Sequence, residues 1–351
     1  MWMTMRIGQR IIAAFVVTLL CAVYTAGAQE IVLKIHHFVP PSAALQTKIL
    51  VPWTEKITKE SGGRIKFQIY PAMQLGGTAP QLLDQARDGI ADIVWAVPGF
   101  SAGRYPAFEV IELPFMTKTA RGSSRALWEY VVSNKIAETE FKDVKLLATH
   151  VHDRGLFHMV NKPIRTAADL KGQKVRAGTR YTTKMLALLG ATPVGMPQPQ
   201  IADALSKGVI DGCVLPWEIV PTSKVHELVK YHSEPDAQSR ALYATAFVLA
   251  MNPAKYASLP ADLKKIIDNN SGAELSAQMG KVWDEGAAPN RKLAEQIGNQ
   301  INIIPLAELQ NWQKIVAPVT DDWLKEVNAK GRDGNALLQS AKQLVQQYDT
   351  E

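Results

Sequence analysis

One arginine of this sequence is suited to binding an organic anion. Arg176 lies in a predicted strand at 174–177, directly after a tight loop. A guanidinium presents a planar fork of N–H donors, which fits the two oxygens of a carboxylate as a bidentate pair. In a desolvated cleft such a pair favours ligands that carry the matching charge. The spacing alone, however, favours a salt bridge at a protein surface for the same side chain.

Five of the seven histidines fall on predicted strands. His150, His152 and His158 share parity on neighbouring strands, and His36 and His37 lie on another. Clustered imidazoles can bind a metal, but their spacing matches no characteristic set of metal ligands. We therefore predict no metal and no cofactor, and expect hydrogen bonds to a ligand or to the backbone.

The common catalytic motifs are missing from the sequence, which contains no Gly-x-Ser-x-Gly, P-loop or Gly-x-Gly-x-x-Gly. His226-Glu227 begins like the zinc-protease motif, but Lys230 stands where the second histidine is required. Cys213 fits a small buried apolar residue better than a nucleophile. These features predict a binding protein and not an enzyme.

The first 28 residues have the order of a secretory signal peptide. Arg6 and Arg10 precede an apolar run at 11–23, and the small residues Ala-Gly-Ala follow at 26–28. The run is shorter than the ~20 residues that span a membrane. We expect cleavage after residue 28 and a periplasmic protein. An uncleaved membrane anchor, or a lipoprotein formed at Cys21, is the alternative.

The remaining 323 of 351 residues are enough for two domains of ordinary size. Without the two N-terminal arginines the net charge falls from +6 to +4, and no basic block occurs, which argues against nucleic acid as a partner. Cys213 is then the one cysteine left, so the core and not a disulfide must stabilise the chain.

Hydrophobic periodicity predicts two α/β units and a helical C-terminal third. The first unit covers about 31–97 in β-α-β-α-β order, which implies a parallel sheet with helices on its faces. The second covers about 144–215. From about residue 258 one long helix is predicted to Ile297, with a break near Gly286 or Pro289 as the alternative. A short strand and two helices follow. Two such units suggest lobes that close on a ligand.

Four segments resemble the DctP-type solute receptors of tripartite ATP-independent periplasmic (TRAP) transporters. They are, in chain order, Gln85 to Trp95, Pro98 to Met116, Lys162 to Arg176 and Ala204 to Gly212. The third, KPIRTAADLKGQKVR, is the most telling. The resemblance runs from about Glu30 to the C-terminal helices.

The resemblance implies an α/β, two-lobed periplasmic binding protein fold with crossing strands, a hinge and a long lobe-spanning helix. We expect lobe I at 29–152 plus 241–280 and lobe II at 153–240 plus 281–351. The implied function is to bind a small organic acid and deliver it to the small and large integral TRAP subunits, without ATP. We expect a monomer. A ligand-binding sensor or adaptor, and a secreted hydrolase, are the alternative functions.

The resemblance also bears on the cations of the site. Arg176 matches the family's carboxylate-binding arginine in its Lys-x-Arg motif. Many sialic-acid and C4-dicarboxylate members carry a second ligand arginine about twenty residues earlier, where this chain has Leu156. Arg154, two residues away on the same strand face, either replaces that cation or faces solvent. This departure weakens a dicarboxylate assignment.

Aromatic residues stand at positions where family members line the cleft, and they favour a monocarboxylate with an aromatic or apolar body. Trp217 follows a predicted strand and is the stronger candidate, whereas core packing competes with ligand contact for Trp95. The predicted ligand-binding residues are Arg176, Trp217, Trp95, Phe38, His37, Arg154, His152 and Met196.

Overall fold

The computed structural model describes residues 30–349, so the predicted signal peptide at 1–28 lies outside the described residues. The strands are β1 (Ile31–His36), β2 (Ile65–Tyr70), β3 (Ile93–Ala96), β4 (Lys145–Val151), β5 (Leu156–Met159), β6 (Lys174–Ala177), β7 (Thr192–Gly195), β8 (Gly212–Leu215), β9 (Tyr231–Pro235), β10 (Ala246–Met251) and β11 (Gln300–Ile304).

The α-helices are α1 (Val51–Glu60), α2 (Leu82–Arg87), α3 (Ala120–Ser133), α4 (Ile136–Thr139), α5 (Ala167–Leu170), α6 (Arg180–Leu188), α7 (Ile201–Ser206), α8 (Val225–Leu228), α9 (Pro253–Ser258), α10 (Ala261–Asn269), α11 (Ala273–Gln296), α12 (Leu306–Ile315), α13 (Ala317–Ala329) and α14 (Gly334–Tyr348). A π-helical turn, Leu45–Leu50, precedes α1. Short 3-10 turns occur at Ala79–Gln81, Pro98–Phe100, Phe108–Glu112, Gln198–Gln200 and Trp217–Ile219.

The strands form two sheets. The first has the order β2-β1-β3-β10-β4, and the second has the order β11-β9-β5-β8-β6-β7. In the first sheet β1 is parallel to β2 and β3, as the β-α-β pattern predicted, while β10 is antiparallel to β3 and β4. In the second sheet β6 is parallel to β7 and β8. The central strands β3 and β10 are buried along their whole length, as expected for strands covered on both faces.

The chain crosses between the sheets. It leaves the first sheet after β4 and enters the second at β5, then returns after β9 to place β10 between β3 and β4. Helix α11 spans the same gap: Gly272, just before it, donates its N–H to the Leu147 carbonyl of the first sheet at 2.7 Å. Near its other end the Asn290 amide donates to the Glu218 carbonyl beside the second sheet at 2.8 Å.

The long helix begins at Ala273 and not at about residue 258 as predicted. Helices α9, α10 and α11 occupy the region, and Gly272 interrupts it with a φ of 91°, a conformation that glycine adopts without a Cβ clash. The helix does not break at Gly286 or Pro289. Pro289 has no N–H to donate to the carbonyl of Glu285. Glu285 and Pro289 are both exposed, so water can hydrogen-bond to that carbonyl instead.

Three helices and not two follow β11, and the last of them does not pack where the sequence had placed it. Helix α14 lies against α3, and the Asn134 amide after α3 donates to the Ser340 hydroxyl at 2.9 Å. Residues 334–348 therefore pack on the first sheet's side, although the predicted division put 281–351 in the second lobe. Within 30–349, no helix combines the length and the apolar character needed to cross a bilayer.

Candidate functional site

A cavity lies between the two sheets, beyond the carboxyl ends of parallel strands. Phe38 follows β1, Val97 follows β3, Gly178 follows β6 and Pro216 follows β8. Ligands of open α/β sheets bind at this position because the loops that leave the strand ends converge there. About 460 Å³ of space lies between the lining atoms, a figure that includes the open solvent at the mouth of the cavity.

The wall of the cavity is mostly apolar. Its aromatic members are Phe38, Trp95, Phe100, Tyr243, Phe247 and Trp283, and its aliphatic members are Val39, Val97, Leu215, Pro216 and Ile219. Besides the tyrosine hydroxyl and the indole N–H groups of the two tryptophans, four side chains bring polar groups: His152, Arg176, Gln198 and Thr245. None of the described residues in the lining carries a carboxylate. The lining therefore suits an apolar body that carries a negative charge.

Four rings form a continuous stack on the side of the first sheet. The centroids of Phe38 and Trp95 are 4.9 Å apart, those of Trp95 and Phe247 4.7 Å, and those of Phe247 and Trp283 5.6 Å. The Trp95 indole N–H donates to His150 Nε2 at 2.8 Å, which fixes the ring in its plane. The stack gives the cavity a rigid aromatic wall against which a planar ligand can pack.

Arg176 brings a buried positive charge into this apolar lining. Its exposed fraction is 5%, and its hydrogen bonds within 30–349 run from Nε to the Met196 carbonyl at 2.9 Å and from Nη1 to the Val214 carbonyl at 3.3 Å. None of the described carboxylates pairs with it, so the surface salt bridge that spacing alone favoured does not form. Burial lowers the pKa of this guanidinium, because no anion compensates the lost hydration.

Two glycines make room around this charge. A Cβ on Gly178 would lie 3.1 Å from Arg176 Nη2, and a Cβ on Gly155 would lie 2.1 Å from the ring of Tyr243. At Gly155 only a residue without a side chain allows this approach, whereas a side chain at Gly178 would require the guanidinium to shift slightly. Tyr243 makes no hydrogen bond through its hydroxyl to any described residue. Burial raises the pKa of that hydroxyl, and the charge of Arg176 opposes the rise, so guanidinium and phenol act on the same part of the cavity.

His152 contributes a neutral ring. Its Nε2 accepts the backbone N–H of Thr245 at 2.9 Å, and its Nδ1 donates to the carbonyl of Asp153. Burial lowers the pKa of His152 to about 4, so the ring stays uncharged near neutral pH. Within 30–349, no group of three or more His, Cys, Asp or Glu side chains is arranged to hold a metal ion.

The structure brings four of the eight predicted residues to this cavity: Arg176, Trp95, Phe38 and His152. Trp217 and Arg154 instead line a separate cavity. The Trp217 indole donates to Glu234 Oε1 at 2.6 Å, and Arg154 Nη2 donates to the backbone carbonyl of Asp236 at 2.6 Å. Pro216 lines the cavity between the sheets, whereas the next residue, Trp217, lines the separate cavity.

The remaining two predicted residues lie next to the cavity lining. His37 is buried, with Nε2 3.0 Å from Gln46 Oε1. Met196 uses its backbone carbonyl to hold Arg176. The sequence analysis missed Phe100, Gln198, Tyr243, Thr245, Phe247 and Trp283. Tyr243, Thr245 and Phe247 lie on β10 and on the segment before it, where the chain returns to the first sheet. The sequence had predicted no strand in this region.

A polar cluster ties the two sides together near the cavity. Arg180, at the start of α6, donates from Nε to Glu109 Oε2 at 2.9 Å and also pairs with Glu326 of α13. Glu112 accepts the N–H of Ala246 at 2.9 Å. Burial raises the pKa of Glu109 to about 7 and that of Glu112 to about 8. The pair Arg180–Glu109 connects the second sheet's side to the 3-10 turn Phe108–Glu112 on the first.

Known proteins resemble this chain along most of its length. The family described as bacterial extracellular solute-binding protein, family 7 (DctP), matches residues 35–326. The outer membrane transporter protein TsaT of Comamonas testosteroni is 29% identical over 314 residues, which cover 89% of this chain and 90% of that protein.

Two solved structures are more similar still. A TRAP solute-binding protein from Rhodoferax ferrireducens T118, in complex with copurified benzoate, is 51% identical with a TM-score of 0.89, and the match covers 91% of this chain and 99% of that one. A marine metagenome TRAP solute-binding protein specific for aromatic acid ligands, in complex with metahydroxyphenylacetate, is 49% identical with a TM-score of 0.88 and covers 91% and 100%.

These matches confirm two predictions from the sequence. The α/β, two-lobed fold is that of TRAP periplasmic binding proteins, and the DctP family was named correctly from the four motifs. The family match extends over most of the chain and includes Arg176 and the aromatic stack. The chain belongs to family 7 of the bacterial extracellular solute-binding proteins, the DctP family.

Proposed function

We propose that this protein is an extracytoplasmic receptor that binds an aromatic monocarboxylate between its two sheets and delivers it to TRAP membrane subunits. The observation that carries the proposal is the buried Arg176 guanidinium, which pairs with no carboxylate among residues 30–349 and lies in an aromatic cavity. A ligand carboxylate would supply the missing charge, and an aromatic body would fill the apolar space.

The energetics favour one carboxylate per ligand. Among the described residues of the lining, Arg176 is the one cationic side chain, because Arg154 lies in the neighbouring cavity. Both nitrogens of His152 are already bonded to the backbone. A second carboxylate would lose its hydration without gaining a second cation, which costs several kcal/mol even after relaxation, on the order of the penalty for one buried ion.

The ring stack favours a flat, unsaturated body. A ligand ring laid against Phe38 or Phe247 would extend the existing stack, and such ring pairs contribute about 0.5–1.5 kcal/mol beyond the buried area. The two similar receptors, whose bound ligands are benzoate and metahydroxyphenylacetate, support the same ligand class for this chain.

We place the receptor in the periplasm, exported by the signal-like segment at 1–28, and working with the small and large integral TRAP subunits. Since one chain supplies every residue of the described cavity lining, we propose that it acts as a monomer, which light scattering after size exclusion would measure. A receptor returns its ligand unchanged, so chromatography of benzoate after long incubation with the protein should recover it intact.

The proposal is tested by isothermal titration calorimetry of protein 29–351, refolded from denaturant so that copurified ligand is removed. The panel contains benzoate, phenylacetate, succinate and glucuronate. We expect one-to-one binding of the aromatic monocarboxylates and none of succinate. Saturable binding of succinate together with no heat from either aromatic acid would refute the proposed ligand class.

A further inference from the structure

Gln198 presents an unpaired polar group to the cavity. Its exposed fraction is 9%, it lines the cavity, and its Oε1 has no hydrogen-bond partner among the described residues. Buried carboxamide oxygens are almost always hydrogen-bonded in folded proteins. Neither the carboxylate of the proposed ligand nor an unsubstituted ring can satisfy Oε1, since an ionised carboxylate has no hydrogen to donate and the ring is apolar.

The backbone holds this carboxamide just beyond the strand pair that carries the guanidinium. Arg176 of β6 pairs with Val194 of β7, and Arg176 Nε bonds the carbonyl of Met196, two residues before Gln198. Gln198 opens the 3-10 turn Gln198–Gln200. It also lines an adjoining pocket together with Phe38, so these two side chains form the wall between that pocket and the site.

The chemistry of a carboxamide limits what it can recognise. Its oxygen accepts and its nitrogen donates hydrogen bonds, and a hydroxyl can do both, so a hydroxyl pairs with Gln198 in either orientation of the amide. A second carboxylate only accepts and would lack a charge partner, and a purely apolar ring leaves Oε1 unpaired. We propose that Gln198 selects a ring hydroxyl, so that hydroxylated aromatic monocarboxylates are the preferred ligands. This inference rests on the proposed function.

Two other hydroxyl-bearing side chains line the cavity, and neither fits this role as well. The Tyr243 hydroxyl is not among the fully buried polar atoms that lack a partner, whereas Gln198 Oε1 is. Thr245 is half-buried, and its hydroxyl is not among the fully buried polar atoms that lack a partner. Thr245 is therefore the matched control: a polar lining residue that should not read the ring substituent.

The experiment measures Kd by calorimetry for benzoate, 3-hydroxybenzoate and 4-hydroxybenzoate. The proteins are refolded wild type, Gln198→Leu and Thr245→Val, each checked for an unchanged thermal midpoint. The wild type should prefer at least one hydroxybenzoate over benzoate by roughly 3- to 10-fold, the worth of one net hydrogen bond. Gln198→Leu should bring that ratio to about one or below while still binding benzoate. Thr245→Val should keep the wild-type ratio.

Three results would overturn the inference while leaving the proposed function standing. The first is a wild type that binds benzoate at least as tightly as both hydroxybenzoates. The others are a Gln198→Leu protein that keeps the preference for a hydroxybenzoate, and a preference that is lost in Thr245→Val but not in Gln198→Leu. If the wild type binds none of the three acids, the proposed function fails, and the inference fails with it.

Discussion

Replacing Arg176 by methionine should abolish tight binding while leaving the fold intact. The side chain is 5% exposed and meets no described carboxylate, so it is the charge partner that the structure offers a bound carboxylate. Burying that carboxylate without a partner costs about 3–5 kcal/mol, which corresponds to a roughly 10²- to 10⁴-fold increase in Kd for benzoate. Calorimetry on refolded protein measures this directly.

The stability of the same variant separates a ligand-binding role from a structural one. Without ligand, Arg176→Met loses two hydrogen bonds to backbone carbonyls but also removes an uncompensated buried charge. The free energy of unfolding in urea should therefore fall by no more than about 1–2 kcal/mol.

The matched control is Arg154→Met, which removes an arginine that lines the neighbouring cavity and should change the Kd for benzoate less than about 3-fold. Two outcomes would refute the reasoning: an Arg176→Met protein that binds benzoate like the wild type, or an Arg154→Met protein that loses binding in its place.

Three further predictions follow from the same geometry. Phe38→Leu keeps an apolar wall but removes one ring of the stack, so the Kd for benzoate should rise about 2- to 10-fold in calorimetry; an unchanged Kd would exclude ring packing at this wall. Trp217→Phe should lower the free energy of unfolding by about 1 kcal/mol, through loss of its hydrogen bond to Glu234, and leave the Kd for benzoate unchanged; a large loss of affinity would place Trp217 in the site. Glu112 has a pKa of about 8 against an ordinary value of 4.5 because it is buried, so its contribution to stability is complete below pH 4.5 and is lost as the pH rises to 8. In urea unfolding, Glu112→Gln should remove a loss of about 5 kcal/mol over that window, which is about 1.36 kcal/mol for each unit by which the pKa is raised. Parallel pH profiles for the two proteins would contradict this expectation.

The sequence predicted the elements that depend on local pattern. The alternating run at 31–38 and the apolar run at 91–97, both predicted as strands, contain the adjacent parallel strands β1 and β3. Motif resemblance singled out Arg176, which lies on β6 and lines the cavity. Pattern did not reveal that α14 returns to pack on α3, because amphipathic helices carry little information about which partner they cover.

The site residues that the sequence missed come together only through long-range contacts. Tyr243 reaches the cavity because the chain returns from the second sheet to the first, and Trp283 because α11 passes beside the stack. Trp217 follows β8, as the sequence predicted, and its indole bonds Glu234 beside the neighbouring cavity. Rotamer direction after a strand depends on the neighbours, which a single sequence does not specify.

A crystal structure of refolded protein grown with benzoate tests the central claim most directly. We predict that the benzoate carboxylate lies within hydrogen-bond distance of the Arg176 guanidinium, with its ring against the stack that contains Phe38 and Phe247. Benzoate bound beside Arg154 and Trp217, or with its carboxylate directed away from Arg176, would contradict the account.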